Sequence, residues 1–114
     1  MFNKILTVCI GNICRSPSAE RILQELLPLK SITSAGIGAL VDKGIEKNAA
    51  KLLQHHNFNA ENHKARQVSA NIINNADLIL VMEKKHQQVL MQKYLRPKDK
   101  DLLIRLFSYP TFHP

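Results

Sequence analysis

The sequence predicts an α/β domain of the Rossmann-like, doubly wound kind: a mostly parallel sheet with helices on both faces. Three observations carry that prediction. Short apolar, β-branched runs alternate with amphipathic helical stretches in the order βαβα(α)βαβ, which calls for right-handed crossovers. The chain has 114 residues, 45% of them hydrophobic and 22% charged, so residues 1–114 read as one folded domain around one main core. There is no internal repeat, no low-complexity tract and no apolar run of membrane-spanning length.

Lys4 to Ile10 is almost continuously apolar and β-branched, as a central parallel strand covered on both faces should be. Gly11 and Asn12 break it. Ser16-Pro17 supplies a helix start, with Ser16 as its cap and Pro17 in the first turn, where a missing N–H costs nothing. Ala19, Ile22, Leu23, Leu26 and Leu27 form one helical stripe, and Pro28 stops it. Ser31 to Ser34 is a weaker second strand ended by Ala35-Gly36, followed by a lightly polar loop to Leu40. Ile45, Ala49, Leu52 and Leu53 mark a second helix running to about His56, and Asn57 to Gln67 reads as a loop. Ser69 caps a short helix facing inward through Ile72, Ile73 and Ala76. Asp77 to Met82 is a second buried strand. A helix from Lys84 to Tyr94 turns Val89 and Leu90 inward, with Met82 in the core and Met91 and Tyr94 partly so. Pro97 to Lys100 is a charged loop, and Leu102 to Phe107 the last strand. No helix follows it, so one sheet face is expected to receive only the first helix and to favour self-association.

Sixteen Lys and Arg against nine Asp and Glu give a net charge of +7, which favours anionic partners. With 5% aromatic residues, no Trp and no recognised motif, a specific nucleic-acid surface is not expected. Two cysteines, Cys9 and Cys14, are too few for a stapled secreted scaffold or a structural zinc site. The N-terminus lacks the pattern of a secretory signal, so a cytoplasmic protein without membrane insertion is expected. The histidines His55, His56, His63 and His86 form no metal-ligand pattern and read as solvated or helix-end residues; neither metal nor cofactor is expected. Lys84 and Lys85 read as solvated surface, while Lys64 and Arg66 could gather an acidic phosphopeptide.

The chemistry concentrates in Cys9-Ile10-Gly11-Asn12-Ile13-Cys14-Arg15-Ser16, beyond the carboxyl end of the first strand, where open α/β sheets place ligands. It is neither a Walker loop nor a dinucleotide fingerprint. It reads as Cys, five residues, Arg. Such a loop can curl its N–H groups into an anion nest and add the free N–H groups of a helix start. Gly11 allows a backbone angle that a side chain would penalise, and Asn12 tolerates a left-handed conformation while tying the loop through its amide. Arg15 brings a two-pronged donor for two phosphate oxygens. Cys9 then lies behind the bound phosphorus, and whatever attracts phosphate also stabilises its thiolate. The Ser16 hydroxyl is placed to donate to that sulfur. The implied chemistry is phosphoryl transfer to sulfur, then hydrolysis of the cysteinyl-phosphate.

CIGNICRSP, Cys9 to Pro17, resembles the signature of the low-molecular-weight protein tyrosine phosphatases. The resemblance covers nearly the whole chain. The first 23 residues, SAGIGALVDKG from Ser34, HKARQVS from His63 and DLILVMEKKH from Asp77 are similar to the bacterial branch associated with capsule and exopolysaccharide production. It implies a four-stranded parallel sheet in the order 2-1-3-4, Cys9 as nucleophile and Arg15 as the phosphate-binding arginine. It further implies Gly11, Asn12 and Ser16 as loop support, Cys14 as a reversible disulfide partner of Cys9, and Leu40 as a cleft residue touching the phosphotyrosine ring. The implied partners are a phosphotyrosine protein and a membrane-anchored tyrosine autokinase of polysaccharide export. The family continues past the last strand into an Asp-Pro loop, whose aspartate is the general acid, and a closing helix. Here no acidic residue follows Asp101, so no general acid is assigned, the domain reads as C-terminally incomplete, and weakened turnover is expected. The alternatives are a nearly inactive phosphate-binding remnant and, less favoured for want of relay cysteines, a thiol-linked arsenate reductase.

Overall fold

Strand β1, Lys4–Cys9, is buried at every residue after Lys4. A strand hidden on both faces belongs in the middle of a sheet. It pairs in parallel with β2, Ser31–Gly36, on one side and with β3, Leu78–Val81, on the other. Strand β4, Leu103–Leu106, adds in parallel to β3, giving the order β2-β1-β3-β4, the arrangement expected from the sequence. This computed structural model describes residues 2–94 and 103–107; the loop read at Pro97 to Lys100 and the tail after Ser108 lie outside them. The register sets Cys9 opposite Gly36 at the carboxyl edge of the sheet. At the other edge the Asp77 carboxylate accepts from the N–H groups of Asn3 and Lys4 at 3.0 and 2.9 Å. Those two bonds pin the start of β1 and hold the Asp77 carboxyl below its usual range.

Helix α1, Arg15–Leu26, packs on β1 and β2, with α2, Lys47–His55, beside it. It ends two residues before Pro28, whose ring excludes the helical conformation from the residue it follows. The opposite face carries α3, Ala70–Asn74, and α4, Lys84–Tyr94. There the main core gathers Leu6 and Val8 of β1, Ile79 and Val81 of β3, Ile73 of α3, Leu90 of α4 and Ile104 of β4. A smaller cluster of Cys9, Ala19 and Met82, with Phe107 against it, lies on the α1 side. Alternation along β1 thus sends Leu6 and Val8 to one core and Cys9 to the other.

Several side chains expected inside lie outside. Leu52 and Val89 are exposed because the buried stripe of each short helix runs one residue away, through Ala49 and Leu53 of α2 and through His86 and Leu90 of α4. Met91 is exposed as well. On α1, Ala19 is fully buried, whereas Leu26 and Leu27 face out. Ser69 does cap α3, its hydroxyl accepting from Ile72 N–H.

Candidate functional site

Between β1 and α1 the backbone turns through Cys9 to Cys14, and each carbonyl of that run is taken by a donor outside it. Ile37, Gly38 and Leu40 N–H donate to Cys9, Ile10 and Gly11 C=O at 2.9, 2.9 and 3.0 Å. His63 Nε2 meets Asn12 C=O at 2.6 Å, Glu46 N–H donates to Ile13 C=O at 2.6 Å, and Ser18 N–H donates to Cys14 C=O at 3.1 Å. A carbonyl only accepts, so Nε2 of His63 carries the proton. With every carbonyl drawn away, the amides are left to the inside of the turn. Helix α1 adds its positive end, with no side-chain cap and no acidic residue in its first turn. The result is a cup of donors suited to an anion.

Asn12 closes the cup. It has the left-handed backbone conformation, with φ 57°, and is fully buried. Its Nδ2 donates to Ser16 Oγ at 2.8 Å and Ser34 Oγ at 3.0 Å, while its Oδ1 accepts from Arg66 N–H at 2.9 Å. That last bond fixes which way the amide points, because a backbone N–H can only donate. The strained angle expected at Gly11 therefore falls on Asn12, which compensates it with three side-chain bonds. A Cβ built on Gly11 would meet Ile13 and Leu40 only at ordinary contact distance.

Cys9 Sγ is buried at the floor of the cup, 2.8 Å from Ser16 Oγ and 3.3 Å from Asn12 N–H. Ser16 Oγ also accepts from Asn12 Nδ2, and a thiolate at Cys9, which can only accept, takes the Ser16 proton. This is why Ser16 does not cap α1: the cap position is Cys14, and the Ser16 hydroxyl, inside the first turn, is spent on Cys9. Thr7, fully buried on the same face of β1, ties its hydroxyl to Ser16 C=O at 2.7 Å and fixes the helix start to the strand.

Arg15 reaches across to the β3–α4 turn, where its Nη2 donates to Glu83 Oε2 at 2.8 Å. That bond holds the Glu83 carboxyl below its usual range. Cys14 is exposed; partial burial, then the charges of Glu46 and Cys9, push its thiol up against the opposing pull of Arg15. Leu40 is exposed beside Gly11, and Ile10 is exposed with it, forming an apolar rim. Among the described residues no three His, Cys, Asp or Glu gather as metal ligands, and no helix is long and apolar enough to cross a membrane.

Sequence reading did not find Gly36, His63, Ser34 or Glu83. Gly36 is the tightest of them: a Cβ there would lie 2.3 Å from Ile10 C=O and 3.0 Å from Asn12 Cβ. Arg66 is also more structural than expected, its Nε donating to Ser34 C=O at 2.8 Å and its N–H to Asn12. The histidines read as solvated divide: His55 and His56 are exposed, whereas His63 and His86 are buried.

A sequence profile of the family described as "Low molecular weight phosphotyrosine protein phosphatase" matches residues 4–112. The chain is 55% identical over 86 residues to the low molecular weight protein-tyrosine-phosphatase Wzb of Salmonella typhi, a match covering 75% of this chain and 58% of that relative. To Wzb of Escherichia coli K12 it is 48% identical over 103 residues, covering 90% and 70%. Among solved structures, Vibrio vulnificus Wzb in complex with benzylphosphonate superposes with a TM-score of 0.87 at 42% identity, covering 96% of this chain and 75% of that one. The chain thus spans less than two thirds of the Salmonella relative's length.

Proposed function

We propose, from the premise that the chain belongs to the low molecular weight phosphotyrosine protein phosphatase family, that it transfers the phosphoryl group of protein phosphotyrosine to Cys9 and then to water. The supporting observation is the run of six carbonyls, Cys9 to Cys14, all engaged outward around a buried thiol. Inward amides and the α1 terminus hold the equatorial phosphate oxygens, and the Arg15 fork takes two of them from the side. The Cys9 thiolate, held by Ser16 Oγ–H and Asn12 N–H, attacks phosphorus in line; the P–O bond to tyrosine breaks as the P–S bond forms. The same two donors make sulfur a better leaving group when water attacks the cysteinyl-phosphate.

Protonating the departing tyrosine oxygen needs an acid. Within these 114 residues no Asp or Glu side chain follows Asp101, so a protein of these residues alone is proposed to be weakened by about 10²–10⁴-fold on phosphotyrosine and to favour aryl phosphates with good leaving groups. Leu40 and Ile10 supply the apolar rim for the substrate ring. Cys14 is proposed as the thiol that closes a reversible disulfide onto oxidised Cys9; pushed up, it stays protonated and so is a slow partner at neutral pH. A cytoplasmic setting and an autokinase substrate of polysaccharide export complete the reading.

The test is hydrolysis of a series of aryl phosphates with leaving groups of differing pKa, for the wild type and Cys9→Ser. Turnover that disappears in Cys9→Ser and rises steeply as the leaving group improves is the expected result. Vanadate binding without any turnover would instead leave a phosphate-binding remnant. Cleavage that survives Cys9→Ser would overturn the proposal.

A further inference from the structure

His86 is the buried side chain that the chemistry above leaves unexplained. It is 2% exposed, yet neither ring nitrogen has a hydrogen-bond partner among the described residues. An imidazole taken from water without a partner is costly, so its retention in the apolar stripe of α4 asks for a reason. Its Nε2 lies 3.8 Å from Glu83 Oε2, the same oxygen that accepts from Arg15 Nη2 at 2.8 Å. Lys85 Nζ stands 3.5 Å from the other oxygen, Oε1. One carboxylate oxygen therefore faces two donors, one bonded and one waiting about an ångström too far away.

We propose that His86 is a positioning residue for Arg15, acting through Glu83: it receives the Glu83 carboxylate when the guanidinium turns to a bound phosphate. This rests on the functional reading above, in which Arg15 grips the anion. If Arg15 moves its Nη2 onto a phosphate oxygen, Oε2 loses its donor beside an incoming dianion. A short shift toward α4 gives that oxygen His86 Nε2–H, keeps the carboxylate charge away from the phosphate, and satisfies the buried imidazole. The neutral Nε2–H tautomer is sufficient, and the imidazolium is a stronger donor. Among the described residues the charged groups facing His86 are Glu83, Lys85 and, from α1, Arg15. Burial first, then the charges of Arg15 and Lys85, push the imidazole down against the pull of Glu83, so the free protein disfavours the imidazolium. Departure of Arg15 removes one opposing charge and brings Glu83 closer. Anion binding and His86 protonation must then favour each other, and by linkage reciprocally.

Inorganic sulfate is the probe, because it is a dianion across the whole range from pH 5.5 to 7.5. Binding is measured by calorimetry on the full chain carrying Cys9→Ser, which removes the nucleophilic thiol, with and without His86→Gln or Glu83→Gln. His86→Gln keeps an N–H donor but cannot titrate. Sulfate is expected to bind about threefold to tenfold more tightly at pH 5.5 than at 7.5 with His86 present, and with a much flatter pH dependence in either further variant. Should His86→Gln not fold, NMR titration of the native His86 ring serves the same end: its pKa should rise on saturation with sulfate, and not when Glu83→Gln is present. An unchanged pH slope in folded His86→Gln, or a His86 titration indifferent to sulfate, overturns the proposal while leaving the phosphatase reading intact. No sulfate binding at any pH would sink both.

Discussion

Replacing a buried carboxamide that serves three polar groups from a left-handed backbone costs stability in two separable ways. Asn12→Ala loses the bonds to Ser16, Ser34 and Arg66 and leaves a Cβ at φ 57° without the polar side chain that offsets the strain. Together these are expected to destabilise the protein by about 2–4 kcal/mol. Asn12→Gly loses the same bonds but not the backbone fit, so it should be the milder variant by about 1 kcal/mol in urea melts. Equal losses in the two would show that the left-handed angle carries no strain here. Ser16→Ala tests the floor of the cup: a thiolate losing one of its two donors should slow aryl phosphate hydrolysis by about 10–100-fold, with the fold intact by circular dichroism. Gly36→Ala acts by crowding alone. Its Cβ would drive into Ile10 C=O, and an overpacked site of this kind costs about 1–3 kcal/mol. Because Ile10 belongs to the turn that presents Cys9, turnover should fall further than stability does.

Elements were legible where one physical signal set them, and obscure where two competed. The apolar run of β1, the Pro28 stop of α1 and the Ser69 cap of α3 each follow from a local rule, and each is present. Ser16 misled because the same hydroxyl suits a helix cap and a thiolate, and the tertiary bond to Cys9 wins. His86 and Leu52 misled because a short helix buries only the residues in phase with its stripe, whatever their polarity. Cys9, Asn12 and Arg15 could be read from spacing within one turn. Their supports could not, since Gly36, His63, Arg66 and Glu83 arrive from segments 24 to 68 residues beyond the residues they touch, and a single sequence holds no record of that approach. Glu46 shows how such an element serves the site. Its carboxylate caps α2 through Asn48 and Ala49 N–H, both at 3.0 Å, while its own N–H holds Ile13 C=O. Those two bonds lower its pKa, so the stabilisation is fully present above the ordinary carboxylate value and disappears as pH falls through the depressed one. Glu46→Gln should therefore melt at lower temperature than the wild type at pH 7, and the gap should narrow below about pH 4. A gap that persists undiminished into acid would mean that the carboxylate charge is irrelevant to the cap.

At the scale of the whole molecule the net charge of +7 acts at long range, whereas the cup acts at contact. The two differ in their response to salt. Contacts inside the cup are short, partly buried and weakly screened, while the field over the surface is cut off beyond the Debye length, about 8 Å at physiological ionic strength. A small aryl phosphate carries its charge directly into the cup and samples little of the surface. A longer acidic phosphopeptide is expected to reach beyond the cup toward exposed cations such as Lys64. Its capture should be steered by that field and should weaken as salt rises. Raising ionic strength from about 20 to 300 mM is thus expected to lower kcat/KM for an acidic phosphopeptide by about tenfold, and for the small substrate much less. Lys64→Glu should flatten the peptide's salt dependence and leave the aryl phosphate unaffected, since Lys64 lies outside the hydrogen-bonded frame that Arg66 and His63 build around Asn12. Parallel salt curves for the two substrates would place all recognition in the cup and leave the surplus charge without a part in substrate capture.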